Sequence, residues 1–181
     1  MPTVNKAGLN TTVAAGVLSD GTNFFRQEGA GVQVDGGAGT LDQGTVGLYK
    51  IIQVTSAEIL ALHATPKTLI AAPGAGKVIF PRSVLFFLDY NSAAYSGIAA
   101  GEDWTIRYTD ASGATVATLE TTGFLDATAD ALRWLLPTTT AAITPVANSP
   151  IVLHQSTGEV TTGNSPVYVR IDYDILPSTL A

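Results

Sequence analysis

Gly74-Ala75-Gly76-Lys77 has the outline of the end of a phosphate-binding loop. Such a loop cradles phosphate oxygens in backbone N–H groups. It needs a further Gly five residues before the Gly-Lys pair, a Ser or Thr after it, and a helix to follow. Those two positions hold Ala71 and Val78, so the hydroxyl for Mg²⁺ is missing, and no strong helix pattern follows. The tetrad Pro73-Gly74-Ala75-Gly76 reads instead as a tight turn, with Pro fixing the entry and Gly supplying positive φ.

Other chemistry-bearing residues are sparse. The two histidines are His63, in a short helix pattern, and His154, in a strand pattern. Neither has a second His or a carboxylate at ligand spacing, so both read as packing or surface residues. Asp172 and Asp174 sit at i and i+2, on one face of a strand. Paired carboxylates perform acid–base work in glycoside hydrolysis, but the polar side of an amphipathic strand explains these two more simply. Glu102-Asp103 and Asp126/Asp130 offer oxygens to Ca²⁺ without the spacing and closing Glu of an EF-hand. The nucleophile elbow G-x-S-x-G does not occur. There is no Cys, hence no disulfide frame, thiol nucleophile or thiolate metal site. No set of acid, base and nucleophile stands out, so the expectation is a protein without catalytic residues, cofactor or metal.

Five aromatics, Tyr90, Tyr95, Trp104, Trp134 and Tyr168, are rings on which a sugar could stack. Trp104 and Trp134 lie in apolar strand or helix patterns and read as core. Tyr90 and Tyr95 border the loop Asn91–Asp103 and are the better candidates for touching a partner.

The elements that must position these residues are organised around Lys67–Tyr90, KTLIAAPGAGKVIFPRSVLFFLDY, the densest apolar run in the chain. It reads as strand, tight turn, strand: Thr68–Ala71 pairs with Lys77–Phe80, and Ser83–Tyr90 continues. Pro81 has no N–H to give a ladder and marks a bulge, a strand start or an edge. Apolar residues on consecutive positions imply burial on both faces.

Before this run, Gly47–Val54 is a first strand. Thr55 and Glu58 have capping-box spacing and open a helix of at most two turns, stopped at Thr65-Pro66. After it, Trp104–Thr109 and Ala114–Glu120 form a hairpin around Asp110-Ala111-Ser112-Gly113. Gly123–Leu136 favours a short helix or irregular connection, with Asp126 as cap and Pro137 as stop; a loop leading into a strand, RWLL, is the alternative. Ala141–Val146 and Pro150–Ser156 read as strands. Val167–Leu176, VYVRIDYDIL, alternates most cleanly, the mark of a half-buried strand. Seven to nine short strands predict an all-β chain: an antiparallel β-sandwich or jelly-roll-like domain over residues 49–181, with one or two short helices.

Residues 1–48 differ in kind. Ten of the chain's 18 glycines lie there, from Gly8 to Gly47. Glycine at that density makes packed structure costly in backbone entropy. The segment reads as an extended arm that orders against neighbours, with Val13, Val17, Leu18, Phe24, Phe25 and Leu41 as its anchors.

Composition sets the outer bounds. Of the 181 residues, 46% are hydrophobic but only 13% are charged, against about a quarter in an average domain. Scarce charge suits a surface partly covered by other subunits, and equally a β protein rich in small residues. The net charge of −6, with no clustered Lys or Arg, argues against nucleic-acid binding. No signal-peptide pattern and no run of about 18 apolar residues is present, so neither export nor a membrane span is expected.

The order of pieces resembles structural proteins of tailed bacteriophages. A Gly/Ala/Thr-rich arm precedes VTSAEILAL and a Thr-Pro step. KTLIAAPGAGKVIFPRSVLFFLDY and GFLDATADAL follow, and VYVRIDYDIL ends the domain. This looks like the small virion proteins encoded beside capsid genes, many of them capsid decoration (cement) proteins. The resemblance implies a β-sandwich or jelly-roll domain that oligomerises on the outer capsid surface and binds the major capsid protein. The terminus would clamp capsomers, and the protein would be made in the bacterial cytoplasm. A trimer at three-fold junctions is expected, with a dimer at two-fold positions as the alternative. The alternative is a tail or fibre component that binds a host-surface glycan.

Overall fold

The computed structural model describes residues 48–137 and 144–180, and the backbone of five short segments before them. Contacts divide the chain into two units, Met1–Val46 and Gly47–Ala181.

In the first unit, the described backbone forms β1 (Val4–Lys6), β2 (Leu9–Thr11), β3 (Val17–Ser19), β4 (Asn23–Glu28) and β5 (Gly31–Gly36). Each pairs antiparallel with the next, giving an antiparallel meander where the glycine content suggests an extended arm. Such pairings are local, and three to six residues per strand is as much regularity as the glycine-rich chain sustains.

The second unit contains β6 (Leu48–Val54), α1 (Ser56–Ile59), β7 (Lys67–Ile70), β8 (Lys77–Leu88), β9 (Trp104–Tyr108), β10 (Thr115–Leu119), β11 (Ala131–Leu135), β12 (Ile151–Gln155) and β13 (Val167–Pro177), with a 3₁₀ turn at Ser178–Leu180. One sheet has the order β11-β8-β13-β6 and the other β10-β9-β12-β7. Every pairing is antiparallel. The first of these eight strands pairs with the last, the second with the seventh, the third with the sixth and the fourth with the fifth. This is the nesting of one long hairpin. Coiling that hairpin brings β13 beside β8 and β12 beside β9, which makes an eight-stranded jelly roll. Within the described residues, no helix is long and apolar enough to cross a membrane.

Three local readings hold at the level of atoms. Thr55 caps α1: its Oγ1 accepts from the Glu58 N–H, and the Glu58 carboxylate accepts from the Thr55 N–H, completing the capping box. Lys67 binds the same carboxylate and, as the largest cause, holds it below the usual carboxylate range. Gly74 and Gly76 both take positive φ, at 99° and 73°. At Pro81 the register shifts: Ser83 faces Asp172 but Pro81 faces Tyr173, so Arg82 is the extra residue of a bulge.

Other expectations are corrected. Thr68–Ala71 and Lys77–Phe80 do not form a hairpin. β7 pairs with β12 and β8 with β13 and β11, so the Pro73–Gly76 turn carries the chain from one sheet to the other. β8 is one continuous strand through Pro81. Phe124–Asp126 is a turn in which Asp126 accepts from the Gly123 N–H (2.6 Å), and Arg133–Leu135 of the RWLL stretch lie in β11. Of the strand expected at Ala141–Val146, the described part, Thr144–Val146, is irregular; residues 141–143 lie outside the described residues.

The core lies between the two sheets. Its centre is an aromatic triad of Trp104, Phe86 and Phe124, all fully buried. The ring centroids are 5.9–6.4 Å apart at steep angles, the edge-to-face range that adds to simple burial. The Trp104 indole N–H donates to Gln155 Oε1 at 3.3 Å, and Gln155 Nε2 donates in turn to the Gly158 carbonyl at 2.8 Å. Tyr108, on β9, donates its hydroxyl to the Ile79 carbonyl on β8 at 2.6 Å, tying one sheet to the other.

Candidate functional site

Alternation along β8 and β13 turns Val84, Phe86, Leu88, Val167, Val169 and Ile171 into the core. The residues between them must therefore line the opposite, outer face of that sheet. The register sets them in rows. Leu132, Phe87, Tyr168 and Gln53 lie side by side; next come Trp134, Leu85, Arg170 and Ile51; then Ser83, Asp172 and Tyr49. This face is unusually apolar for one turned to solvent. Trp134 is 66% exposed, Tyr49 61%, Ile51 60% and Leu132 54%, and Leu136 is exposed just beyond β11.

Its polar groups are already paired among themselves. Arg170 donates to Asp172 at 2.9 Å and lies over the Tyr49 ring, 4.6 Å from its centroid. Ser83 Oγ donates to the other Asp172 oxygen at 3.2 Å, and Gln53 Nε2 donates to the Tyr168 hydroxyl at 3.1 Å. Pairing lowers the cost of dehydrating this face, because its hydrogen bonds survive loss of water, although the ion pairs still give up hydration.

Sequence reasoning placed Trp134 in the core, which the structure overturns. β11 is the sheet's edge strand, and the side of it carrying Trp134 and Leu132 is covered by nothing in the second unit's described residues. The signal available was the RWLL strand alternative, which puts Trp134 and Leu136 on the same face. Tyr49, Ile51 and Leu132 were not singled out as contact residues. Tyr95, a candidate partner contact, is 2% exposed. Its hydroxyl donates to the Ser165 carbonyl (2.6 Å), and burial pushes its phenol well above the ordinary tyrosine value. Tyr90 is half-buried beside its loop. Val17 and Leu18 lie on β3 and Phe24 and Phe25 on β4, where Leu18 pairs with Phe25. Val13 and Leu41 lie outside the described residues.

The carboxylates serve the loops and the strand surface. Glu102 accepts from the Ala99 N–H, Asp130 from the Tyr90 N–H, and Asp174 pairs with Arg82 at 3.4 Å. Burial, and then the charge of Glu120, push the Asp103 carboxyl upward. No group of three or more His, Asp or Glu side chains placed to hold a metal occurs among the described residues.

The two histidines do meet, although 91 positions separate them. Their ring centroids are 5.4 Å apart. His63 Nδ1–H donates to the Gln155 carbonyl at 2.9 Å, while the buried His154 Nδ1 has no partner. Burial, then the charges of Arg107 and His63, lower the His154 pKa, against smaller opposing effects of a backbone hydrogen bond and of Glu159. The unfolded chain binds this proton near the usual value of about 6.5, the folded chain only at lower pH. The stabilisation is therefore complete above about 6.5 and is lost as pH falls towards the folded value. The melting temperature should drop between pH 7 and pH 5, and His154→Leu should flatten that drop; an unchanged profile in the variant would assign the acid sensitivity elsewhere.

No family model matches the chain, and neither a curated protein nor a solved structure matches it. The fold itself defines the class: an all-β, antiparallel jelly-roll sandwich with a separate glycine-rich N-terminal unit.

Proposed function

We propose that the chain is a structural virion protein of a tailed bacteriophage, a decoration protein on the outer capsid surface. It stabilises the capsid by bridging major capsid protein subunits and has no catalytic role. The observation that carries this reading is the apolar outer face of the β11-β8-β13-β6 sheet, whose polar groups are paired internally. Such a face suits dry protein contact, and Trp, Tyr and Arg are the residues that dominate such contacts. The resemblance in the order of sequence pieces supplies the capsid context, and the glycine-rich N-terminal unit supplies the clamp that attaches the protein.

Removing residues 1–48 should leave the jelly roll folded, because its core lies downstream of them. The same truncation should abolish attachment to particles and lower their resistance to heat. Full decoration by the truncated protein would remove the clamp role from the N-terminal unit and transfer attachment to the jelly roll.

A second reading, a tail or fibre component that binds glycan, is favoured by the exposed Trp134 and Tyr49 rings on one sheet face. Against it, Arg170, Asp172, Gln53 and Ser83 are engaged with one another or with neighbouring groups, leaving few free partners for sugar hydroxyls.

A further inference from the structure

We infer that the outer face of the β11-β8-β13-β6 sheet is a homotypic interface, covered by the same face of a second copy of this chain. The inference rests on the reading of this face as a dry protein contact and assigns that contact to a second copy, which leaves attachment to the capsid to the N-terminal unit.

The first argument is area. An aromatic side chain presents about 150–250 Å². The exposed portions of Trp134, Tyr49, Ile51, Leu132 and Leu136 therefore make an apolar patch on the order of 500 Å². That is at the upper end of what monomeric proteins leave uncovered. With the paired polar rows included, the face approaches the roughly 800 Å² that each partner contributes to a standard interface.

The second argument is charge. The chain carries −6 overall, yet the charges on this face are paired, Arg170 with Asp172 and Arg82 with Asp174, so they cancel. A strongly basic partner would find no net charge here to meet. A second copy meets a neutral surface, so no like charges are brought together across the contact.

The third argument is the arrangement of the rows. Apolar bulk sits at both ends of the central row, Trp134 on β11 and Ile51 on β6, with Leu85 and Arg170 between them. A two-fold axis along the strands sets β11 of one copy over β6 of the other. Trp134 then faces the other copy's Ile51, and the same contact repeats on the far side. This is the self-complementarity an isologous dimer requires. The two sheets stack about 10 Å apart, as in a sandwich.

Sedimentation velocity on the full chain over a micromolar concentration series tests this. The protein should sediment as a dimer, and Trp134→Ser should raise the dimer dissociation constant at least about tenfold. Thr118→Arg, at an exposed position on β10 of the other sheet, should leave it unchanged. Acrylamide quenching gives a second readout without mutation. Trp104 is fully buried, so quenching reports Trp134 and should weaken as concentration rises. A monomer throughout the series, or a dimer indifferent to Trp134→Ser, overturns the inference. A trimer also overturns it, since a three-fold contact joins two different patches. Saccharide binding by a monomer, lost in Trp134→Ser, would give the face to a glycan. A monomer that decorates particles defeats this inference and leaves the virion reading standing; a dimer that never associates with particles does the reverse.

Discussion

Trp104→Ala should cost about 3–5 kcal/mol of folding stability, and Trp134→Ala less than about 0.5 kcal/mol. Trp104 is fully buried between Phe86 and Phe124, and its indole N–H satisfies the buried Gln155 side chain. Truncation leaves a cavity at the centre of the jelly roll and an unpaired Gln155 oxygen. Trp134 is 66% exposed on an edge strand, and little is lost from the folded monomer when it is removed. Against a total stability of about 5–15 kcal/mol, the first substitution takes a large share. Urea denaturation at a concentration low enough to avoid self-association should show a midpoint lowered by more than about 1 M for Trp104→Ala. Equal midpoints for the two variants would mean that the two tryptophans have been assigned to the wrong environments.

Gly113→Ala should be nearly as damaging, at about 3 kcal/mol, or roughly a 10 °C fall in melting temperature. A Cβ built on Gly113 would lie 1.6 Å from the Tyr108 carbonyl oxygen, and backbone cannot swing aside as a flexible side chain can. Relief requires opening the turn between β9 and β10. That turn is held by Gly113 N–H to the Asp110 carbonyl (3.2 Å), Arg107 to the Gly113 carbonyl (3.1 Å) and Asp110 to Ser112. The strain would reach Tyr108 and its bond to Ile79 across the core. Gly74→Ala makes a useful comparison. Its Cβ meets open space but must accept φ +99°, so only backbone strain of about 1–2 kcal/mol should appear. A smaller loss at Gly113 than at Gly74 would show that close approach is not what requires glycine there.

The sequence alone determined those features whose cause lies within a few residues. The capping box needs only Thr55 and Glu58. An irregularity at Pro81, whether bulge, strand start or edge, needs only a proline inside a strand pattern, and the register makes it a bulge. The alternation of VYVRIDYDIL and the strand–turn–strand from Trp104 to Glu120 are legible because side chains in a strand alternate faces and a turn has its own chemistry. Together with the count of short strands, these establish an all-β sandwich.

Tertiary structure decided what depends on distant partners. Nested pairing of the first strand with the last is the outcome of sheet closure across the whole domain, so the apparent Lys67–Phe80 hairpin splits between two sheets. Trp104 and Trp134 sit in similar local patterns, yet one face of each sheet is covered and the other is not, and no local pattern says which. Tyr95 is withdrawn from the surface by packing against Gly163 and Ser165, about 70 residues further along. His63 and His154 meet only because β12 passes beside the turn after α1. The apolar face with its paired Arg170 and Asp172 is likewise a product of register: four strands from four parts of the chain bring together residues that look unremarkable one by one, because hydrophobic contact depends on which surfaces adjoin and not on which residues are neighbours in sequence.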